Sequence, residues 1–435
     1  SIEVISTTQC FTIIFVFHHL KSLLYSLGII ILSGLVRFAA LFNAKSKAFV
    51  NGRSKLFFRL ESAFQNEQAP VAWVHCASLG EFEQGRPVIE QFKKEFPAFK
   101  ILLTFFSPSG YEVRKNYTQA DYIFYLPWDT ASNAKRFIKI TKPKIAFFVK
   151  YEFWHNYTKV LSIENIPLLS VSSIFRENQI FFKPYGGWFR SILRKFDHFF
   201  VQNEKSEQLL KSIGIENVTI AGDTRFDRVS EVIRKAKEIQ IAKEFKGSDN
   251  VMVVGSCWSE DLGLLAPHIN GSAGKLKFII APHEVKESFL VEIETALDVK
   301  TIRYSRVKSD VNQYDVLIID NVGMLSSLYR YGEFAFVGGG FGKGLHNILE
   351  AACYGIPIFF GNKNYQKFQE AIELIMRGGA FDVKDYADFK SKYELLINRP
   401  ENYVLACDVT KSYVEENTGA TQKVIDHCHY LLDKL

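Results

Sequence analysis

The sequence predicts an α/β fold of two consecutive doubly wound domains, preceded by a membrane-associating helix. Three observations carry this. Short apolar β-rich runs alternate with amphipathic segments from residue 70 onward; the alternation lapses over a charged stretch at about 226–248 and then resumes; and the longest apolar stretch, residues 11–42, comes first. Continuous apolar strands separated by helices indicate a parallel sheet covered on both faces. At roughly 100–200 residues per domain, the 435-residue length fits two or three domains. A chain that is 47% hydrophobic and 23% charged can bury a full core, which excludes disorder, collagen and a small disulfide scaffold.

The apolar run is best developed from Ser22 to Phe42, SLLYSLGIIILSGLVRFAALF. At about 1.5 Å per residue it is long enough for a bilayer core of roughly 30 Å. Arg37 sits where a long side chain can snorkel to the interface, and Lys45, Lys47, Arg53, Lys55 and Arg59 follow with no acid before Glu61. Basic residues mark the cytoplasmic side, so the rest of the chain is expected on the cytoplasmic face of the inner membrane. The charge follows the apolar run, whereas a signal peptide carries it ahead, so an uncleaved anchor is expected. A monotopic helix lying in one leaflet is the alternative, and a buried core helix is the structural one. FTIIFVF (11–17) is a further apolar patch without an assigned place, and with no Met before Met252, Ser1 is not expected to be the natural initiator.

In the first soluble set, strands are predicted at 71–78 (VAWVHCAS), 100–106, 122–127, 144–150, 167–173 and 198–203, with helices at 85–96 and 130–140. The second set places strands at 251–256, 277–282, 316–320, 334–339 and 357–361. The expected domains are a 1–45 extension and anchor, a 46–228 Rossmann-like acceptor domain, a 229–248 linker, a 249–402 Rossmann-like nucleotide-sugar domain and a 403–435 helical segment. Doubly wound domains bind ligands at the carboxyl ends of their strands, so a cleft between two of them is the expected active site.

The formal charge of +6 is a mild excess that suits an anionic ligand or a membrane surface and does not by itself argue for nucleic acid. Six scattered Cys without a C-x-x-C pair read as reduced thiols. With no D-x-D, H-E-x-x-H or G-x-S-x-G motif, metal-dependent catalysis is not expected and no cofactor is called for.

Candidate chemistry clusters at predicted strand ends. Glu81, in Ser78-Leu79-Gly80-Glu81, can take a proton from an attacking hydroxyl; equally, it can be an acidic residue in the first turn of a helix, favoured by the dipole. Glu152 follows the strand at 144–150 and could pair with Lys150. The run Gly338 to Gly344 is neither a P-loop nor a dinucleotide fingerprint, but a glycine-rich turn opening a helix offers N–H groups to a phosphate. Asn347 and Glu350 would share a helix face, where the carboxylate suits a ribose diol. Gly255-Ser256, Pro282-His283, Asp320 to Met324 and Gly222 to Asp227 supply further polar turns, with Arg225 as a cation.

Taken in order, these segments resemble the 3-deoxy-D-manno-octulosonic acid (Kdo) transferases of lipopolysaccharide and lipid A synthesis. The resemblance runs from about residue 22 to the end. It consists of the anchor and basic stretch, His75-x-x-Ser78-x-Gly80-Glu81, Thr104, Ser109-Gly110, Tyr125-Leu126-Pro127-Trp128-Asp129, Glu152-x-Trp154, Gly222, Phe226-Asp227, Gly255-Ser256, Pro282-His283, Asp320-x-x-Gly323, Phe336-Val337-Gly338-Gly339, His346-Asn347-x-x-Glu350, Gly355-x-Pro357 and Phe360-Gly361. It implies a GT-B-type glycosyltransferase, two Rossmann-like domains facing a cleft, with CMP-Kdo as donor and a lipid A precursor in the membrane as acceptor. By resemblance Glu81 is the catalytic base, and Glu152 and Arg225 stabilise the transition state. Ser256, Pro282, His283, Val322, Gly323, Met324, His346, Asn347, Ile348, Leu349 and Glu350 fall in the nucleotide-binding segments. The chain departs from the family at Lys150 (usually Glu), at Arg225 (usually Lys), at Gly344-Leu345 (usually Gly-Gly) and at Pro282-His283-Glu284, where the family's Pro-Arg-His would supply a cation. The alternatives are a GT-B enzyme using a UDP-sugar and a non-catalytic binding protein of the same fold.

Overall fold

The computed structural model describes residues 7–236, 238–342 and 344–433, with the side chains of residues 7–20 and Lys235 outside the description. Residues 1–6 and Lys343 of the glycine-rich turn therefore lie outside the described residues. By contacts the chain divides into residues 1–227 with 419–435, and residues 228–418.

The first unit opens with three helices, α1 (Thr7–Ala39), α2 (Ala44–Gly52) and α3 (Leu56–Phe64). Its sheet contains β1 (Val71–Cys76), β2 (Lys100–Phe105), β3 (Tyr122–Tyr125), β4 (Pro143–Val149), β5 (Leu168–Ser173), β6 (His198–Val201) and β7 (Val218–Ile220), in the order β3-β2-β1-β4-β5-β6-β7. All pairs are parallel. The chain winds outward from β1 to β3, then crosses back to lay β4 beside β1 and winds the other way. The topological switch point thus falls between β1 and β4.

Side chains of β1 alternate across the sheet. Val71 and Trp73 join Leu102, Phe148 and α3 residues Leu56, Leu60 and Phe64 on one face. Ala72, Val74 and Cys76 join the other face, with Phe82, Ile89 and Phe92 of α4 (Leu79–Glu95) and with Val424, Ile425 and Cys428 of the helix Ala420–Leu432. Each fully buried Leu, Val or Phe contributes about 1.5–3 kcal/mol, which is what requires both faces to be covered. The carboxyl-terminal stretch expected as one segment from 403 is two helices, Pro400–Glu416 and Ala420–Leu432. They break at Gly419, whose φ of 99° suits a residue without a Cβ. The first belongs to the second unit and the last returns to the first. Asp227 fixes the return, accepting from the Gly419 N–H and from the N–H and hydroxyl of Thr421.

α1 lies along the first unit. Ile29 and Ser33 are buried; Ser22 Oγ bonds His155 Nε2 at 2.8 Å; and the Tyr25 hydroxyl donates to buried Asp129 at 2.7 Å. The opposite face exposes Leu23, Leu24, Leu27, Ile30, Ile31, Leu35 and Phe38. Residues 21–39 are long and apolar enough to cross a membrane, and only 6% of that window is buried.

The second unit holds β8 (Val251–Cys257), β9 (Lys277–Pro282), β10 (Thr301–Arg303), β11 (Val316–Ile318), β12 (Phe334–Val337), β13 (Ile358–Gly361) and β14 (Ala380–Val383), in the order β10-β11-β9-β8-β12-β13-β14. It too is parallel, with its switch point between β8 and β12. The charged, helix-forming stretch read as a 229–248 linker is helical over Arg225–Lys235 and Gln240–Lys246. Ala242 and Phe245 of the second helix are fully buried, and Lys246 pairs with Glu333. An amphipathic helix with two core residues is part of the domain that buries them.

Candidate active site

In the first unit, β1 runs into α4 through Ser78, the helix N-cap, so Glu81 falls in the first helical turn. Its carboxylate accepts from the Ser78 N–H at 3.1 Å. Burial, then the negative charge of Glu152, push the Glu81 carboxyl up to about 7, against main-chain N–H groups and Lys150, which favour its ionised form. Both readings of Glu81 thus meet in one side chain. It is the acidic partner of a helix start, and it is also a half-buried carboxyl poised near neutrality at a strand's carboxyl end.

Glu152 stands just past β4, across the switch point, and is 8% exposed. Two side chains hold its carboxylate. Glu152 Oε2 bonds His75 Nε2 at 3.0 Å and accepts from Trp154 Nε1 at 2.6 Å. His75, fully buried on β1, bonds Thr104 of β2 through Nδ1 at 2.9 Å. A chain of side chains across three adjacent strands therefore fixes Glu152 beside Glu81. Lys150 has a left-handed backbone (φ 69°) and lies near enough to bias both Glu81 and Asp223.

Arg225 donates through Nε to Asp223 at 2.9 Å and pairs with the same oxygen through a terminal nitrogen at 2.8 Å. Burial raises the Asp223 carboxyl, but Arg225 and its N–H more than offset this and leave it below the usual range. Gln84 of α4 also donates to Asp223 at 2.9 Å, which ties Arg225 to the helix carrying Glu81.

In the second unit the polar turns gather at the ends of β8, β9 and β12. Ser256 adopts a left-handed conformation (φ 51°) and leads to Trp258. The Trp258 ring stacks on His283 at 4.5 Å, His283 stacks on His346 at 4.3 Å, and Trp258 Nε1 donates to His346 Nε2 at 3.1 Å. Burial, then the neighbouring His283, lower His346 to about 4, and burial lowers His283 as well. Both imidazoles are neutral near pH 7. The cation that an Arg would supply here is not supplied by His283, which offers an aromatic face instead. Trp258 was not anticipated, although a Trp two residues after Gly255-Ser256, at the end of β8, is a signal for it.

The glycine-rich turn is a packing device. A Cβ on Gly338 would lie 2.2 Å from the Ser256 carbonyl oxygen, and one on Gly340 would lie 2.3 Å from that of Gly361. Asp261, fully buried, accepts from the N–H of both Trp258 and Gly339 at 3.0 Å and joins the β8 and β12 turns. The glycine-rich turn does not open directly into a helix: among the described residues 344–347 are irregular, and the helix is the single turn Leu349–Ala352.

His346 and Asn347 are partly exposed, and Asn347 Nδ2 donates to Glu350 at 3.2 Å, but Ile348 and Leu349 are buried. Their side chains form core. Val322 is 85% exposed on the turn after β11, with Gly323 at φ 91° and Met324 capping the next short helix. That helix sets Leu325 and Tyr329 against Gly255, beside Ser256. Ser256, Pro282, His283, His346 and the 322–324 turn therefore belong to one end of one sheet.

A family profile described as 3-deoxy-D-manno-octulosonic-acid transferase (kdotransferase) matches residues 53–228. The 3-deoxy-D-manno-octulosonic acid transferase of Aquifex aeolicus is 29% identical over 354 residues, covering 79% of this chain and 90% of that one. Its counterpart from Chlamydophila psittaci is 25% identical over 381 residues, covering 82% and 84%. Among solved structures, the UDP-GlcNAc 2-epimerase of Neisseria meningitidis aligns with a TM-score of 0.58 at 17% identity over 82% of this chain and 98% of that one, a likeness of fold. The ordered motifs at their strand ends, the two doubly wound units and the alignments over most of each relative's length together support the Kdo transferase family for this chain.

Proposed function

We propose that the protein is an inverting, metal-independent glycosyltransferase that moves Kdo from CMP-Kdo to a hydroxyl of a lipid A precursor at the cytoplasmic face of the inner membrane. The observation that carries the mechanism is Glu81, at the β1–β4 switch point, with its proton affinity raised to about 7 by burial and by Glu152. A base with this affinity is substantially ionised at neutral pH and still strong enough to take a proton as an acceptor hydroxyl attacks; such catalysis contributes about 10²–10⁴-fold. Glu152, held by His75 and Trp154, places a fixed negative charge where an oxocarbenium-like centre develops. Arg225, oriented by Asp223, is the cation assigned to the negative charge gained by departing CMP. Direct attack opposite the leaving group inverts the anomeric carbon. In the second unit the Trp258–His283–His346 stack suits a pyrimidine face, and Ser256, Asn347, Glu350 and the 322–324 turn suit the ribose and phosphate.

The helix α1 suits a membrane-resident acceptor. Ser22 and Tyr25, midway along the helix, bond to the first unit, Ile29 and Ser33 beyond them are buried, and an apolar face is left open. This supports the monotopic alternative, a helix lying in one leaflet. Full-length protein incubated with CMP-Kdo and a tetraacyl lipid A precursor in the presence of a chelator is expected to release CMP and add Kdo mass to the lipid, with CMP competing better than UMP. Absence of transfer, or transfer only from a UDP-sugar, would overturn the reading.

A further inference from the structure

At the basic end of α1 the first unit contains a cavity of about 670 Å³ whose lining includes Arg37, Arg53, Lys55, Phe58, Trp128 and Arg136. Its charge is one-sided. Of these four cations only Arg136 has a carboxylate partner, Glu61 at 2.8 Å, among the described residues. Arg53 is the central case. Its guanidinium donates to the carbonyls of Leu126, Phe49 and Phe106 and lies over the rings of Phe49, at 3.8 Å, and Tyr125, at 4.8 Å. Burial lowers it to about 9, so it stays charged at neutral pH, with its hydrogen bonds made and its charge unneutralised. An enclosed cation bonded only to neutral groups leaves positive potential in the adjoining cavity. Phe58 of the lining is 70% exposed, and Phe38, Leu41 and Phe42, which follow the lining residue Arg37 in the chain, are 64–79% exposed. Pro127 and Trp128, from the Tyr125-Leu126-Pro127-Trp128 segment that has no place in the proposed reaction, are also part of the lining.

We propose that this cavity binds the phosphate of an anionic phospholipid headgroup, a bilayer lipid distinct from the acceptor. The inference rests on the membrane reading above and goes beyond it, because a specific pocket and a diffuse basic surface make different demands. Charge complementarity and these exposed apolar side chains together describe a headgroup seated while its chains remain in the leaflet. Trp128 and Arg37 are the amphipathic and long cationic side chains favoured at headgroup depth.

The test is co-sedimentation of full-length protein with phosphatidylcholine vesicles, with and without phosphatidylglycerol. Three chains are compared: wild type, Arg37→Gln with Lys55→Gln, and Lys45→Gln with Lys47→Gln. All four substituted side chains are exposed and make no ion pair among the described residues, and only Arg37 and Lys55 line the cavity. Each basic residue near an anionic surface is worth about 1 kcal/mol, roughly fivefold. The cavity pair is expected to lose about 25-fold or more of the phosphatidylglycerol-dependent binding and the Lys45/Lys47 pair markedly less, with binding to pure phosphatidylcholine the same for all three. Equal losses in the two variants would replace the pocket with a diffuse patch and overturn the proposal. So would unchanged vesicle binding together with a raised KM for the acceptor in detergent micelles, since the cavity would then serve the acceptor's phosphate. Wild-type protein that binds neither vesicle would overturn the membrane reading itself.

Discussion

Two carboxyl groups placed close together cannot both ionise as easily as either would alone, and Glu81 with Glu152 shows the consequence. Burial and the Glu152 charge hold the proton on Glu81 up to about 7. Glu152→Gln removes the second cause, so the acid limb of the kcat/KM profile is expected to move to lower pH while the maximal rate falls. An acid limb left in place, followed across pH 5–9, would remove Glu152 from the neighbourhood of the base. His346 works in the opposite direction. Its folded value of about 4 lies below the ordinary value of 6.5, so its contribution to stability is complete above about 6.5 and is lost as pH falls toward 4. Replacing Trp258 with Ala removes one ring of the stack. Since base–aromatic stacking is worth about 1–3 kcal/mol, calorimetry is expected to show CMP bound at least about fivefold more weakly. Unchanged affinity would move the pyrimidine elsewhere.

At the scale of elements, the central strands were legible because they are apolar over their whole length and covered on both faces. Observed β1, β2, β4, β5, β8 and β9 lie within a residue or two of expectation. β7, β10 and β14 were not seen. They are three- or four-residue segments toward sheet edges, only partly buried, and too short for any periodicity. α4 starts six residues before the expected 85, in keeping with the reading of Glu81 as an acidic residue of a first helical turn; Gly80, Gly85 and Pro87 hide the periodicity of that start. The glycine-rich turn misled for a related reason. Glycine marks close approach, and the sequence does not say whether a phosphate or another strand's carbonyl approaches. Phe226-Asp227 was legible only as a motif, and its work is the anchorage of residues 419–421. Hydrogen bonds to a charged group contribute roughly 1.5–3 kcal/mol. Asp227→Ala is therefore expected to lower stability by about 2 kcal/mol or more in urea titration, and equal midpoints would show that the last helix is held by packing alone.

For the whole molecule, the sequence disclosed two parallel-sheet units and an apolar leader, since these are written in runs of tens of residues. It could not say how α1 is held, because that depends on Ser22 meeting His155 and Tyr25 meeting Asp129, 133 and 104 residues apart in sequence. Leu27 and Ile31 lie on the open face of α1. Their joint replacement by Glu is expected to move the protein from the membrane fraction to the supernatant while the melting temperature stays within about 2 °C, as for surface changes away from packing. Retention in the membrane fraction would show that another surface does the anchoring.

The most direct trial of the chemistry is the turnover of Glu81→Gln with saturating CMP-Kdo and lipid acceptor, alongside the thermal shift that CMP produces. Gln preserves the acceptor for the Ser78 N–H, and it removes a carboxyl whose ionisation near pH 7 opposes folding, so the variant is expected to melt no lower than wild type at pH 8. A fall in kcat of at least about a hundredfold with the CMP shift intact is the expected result. Turnover equal to wild type would show that another group takes the proton.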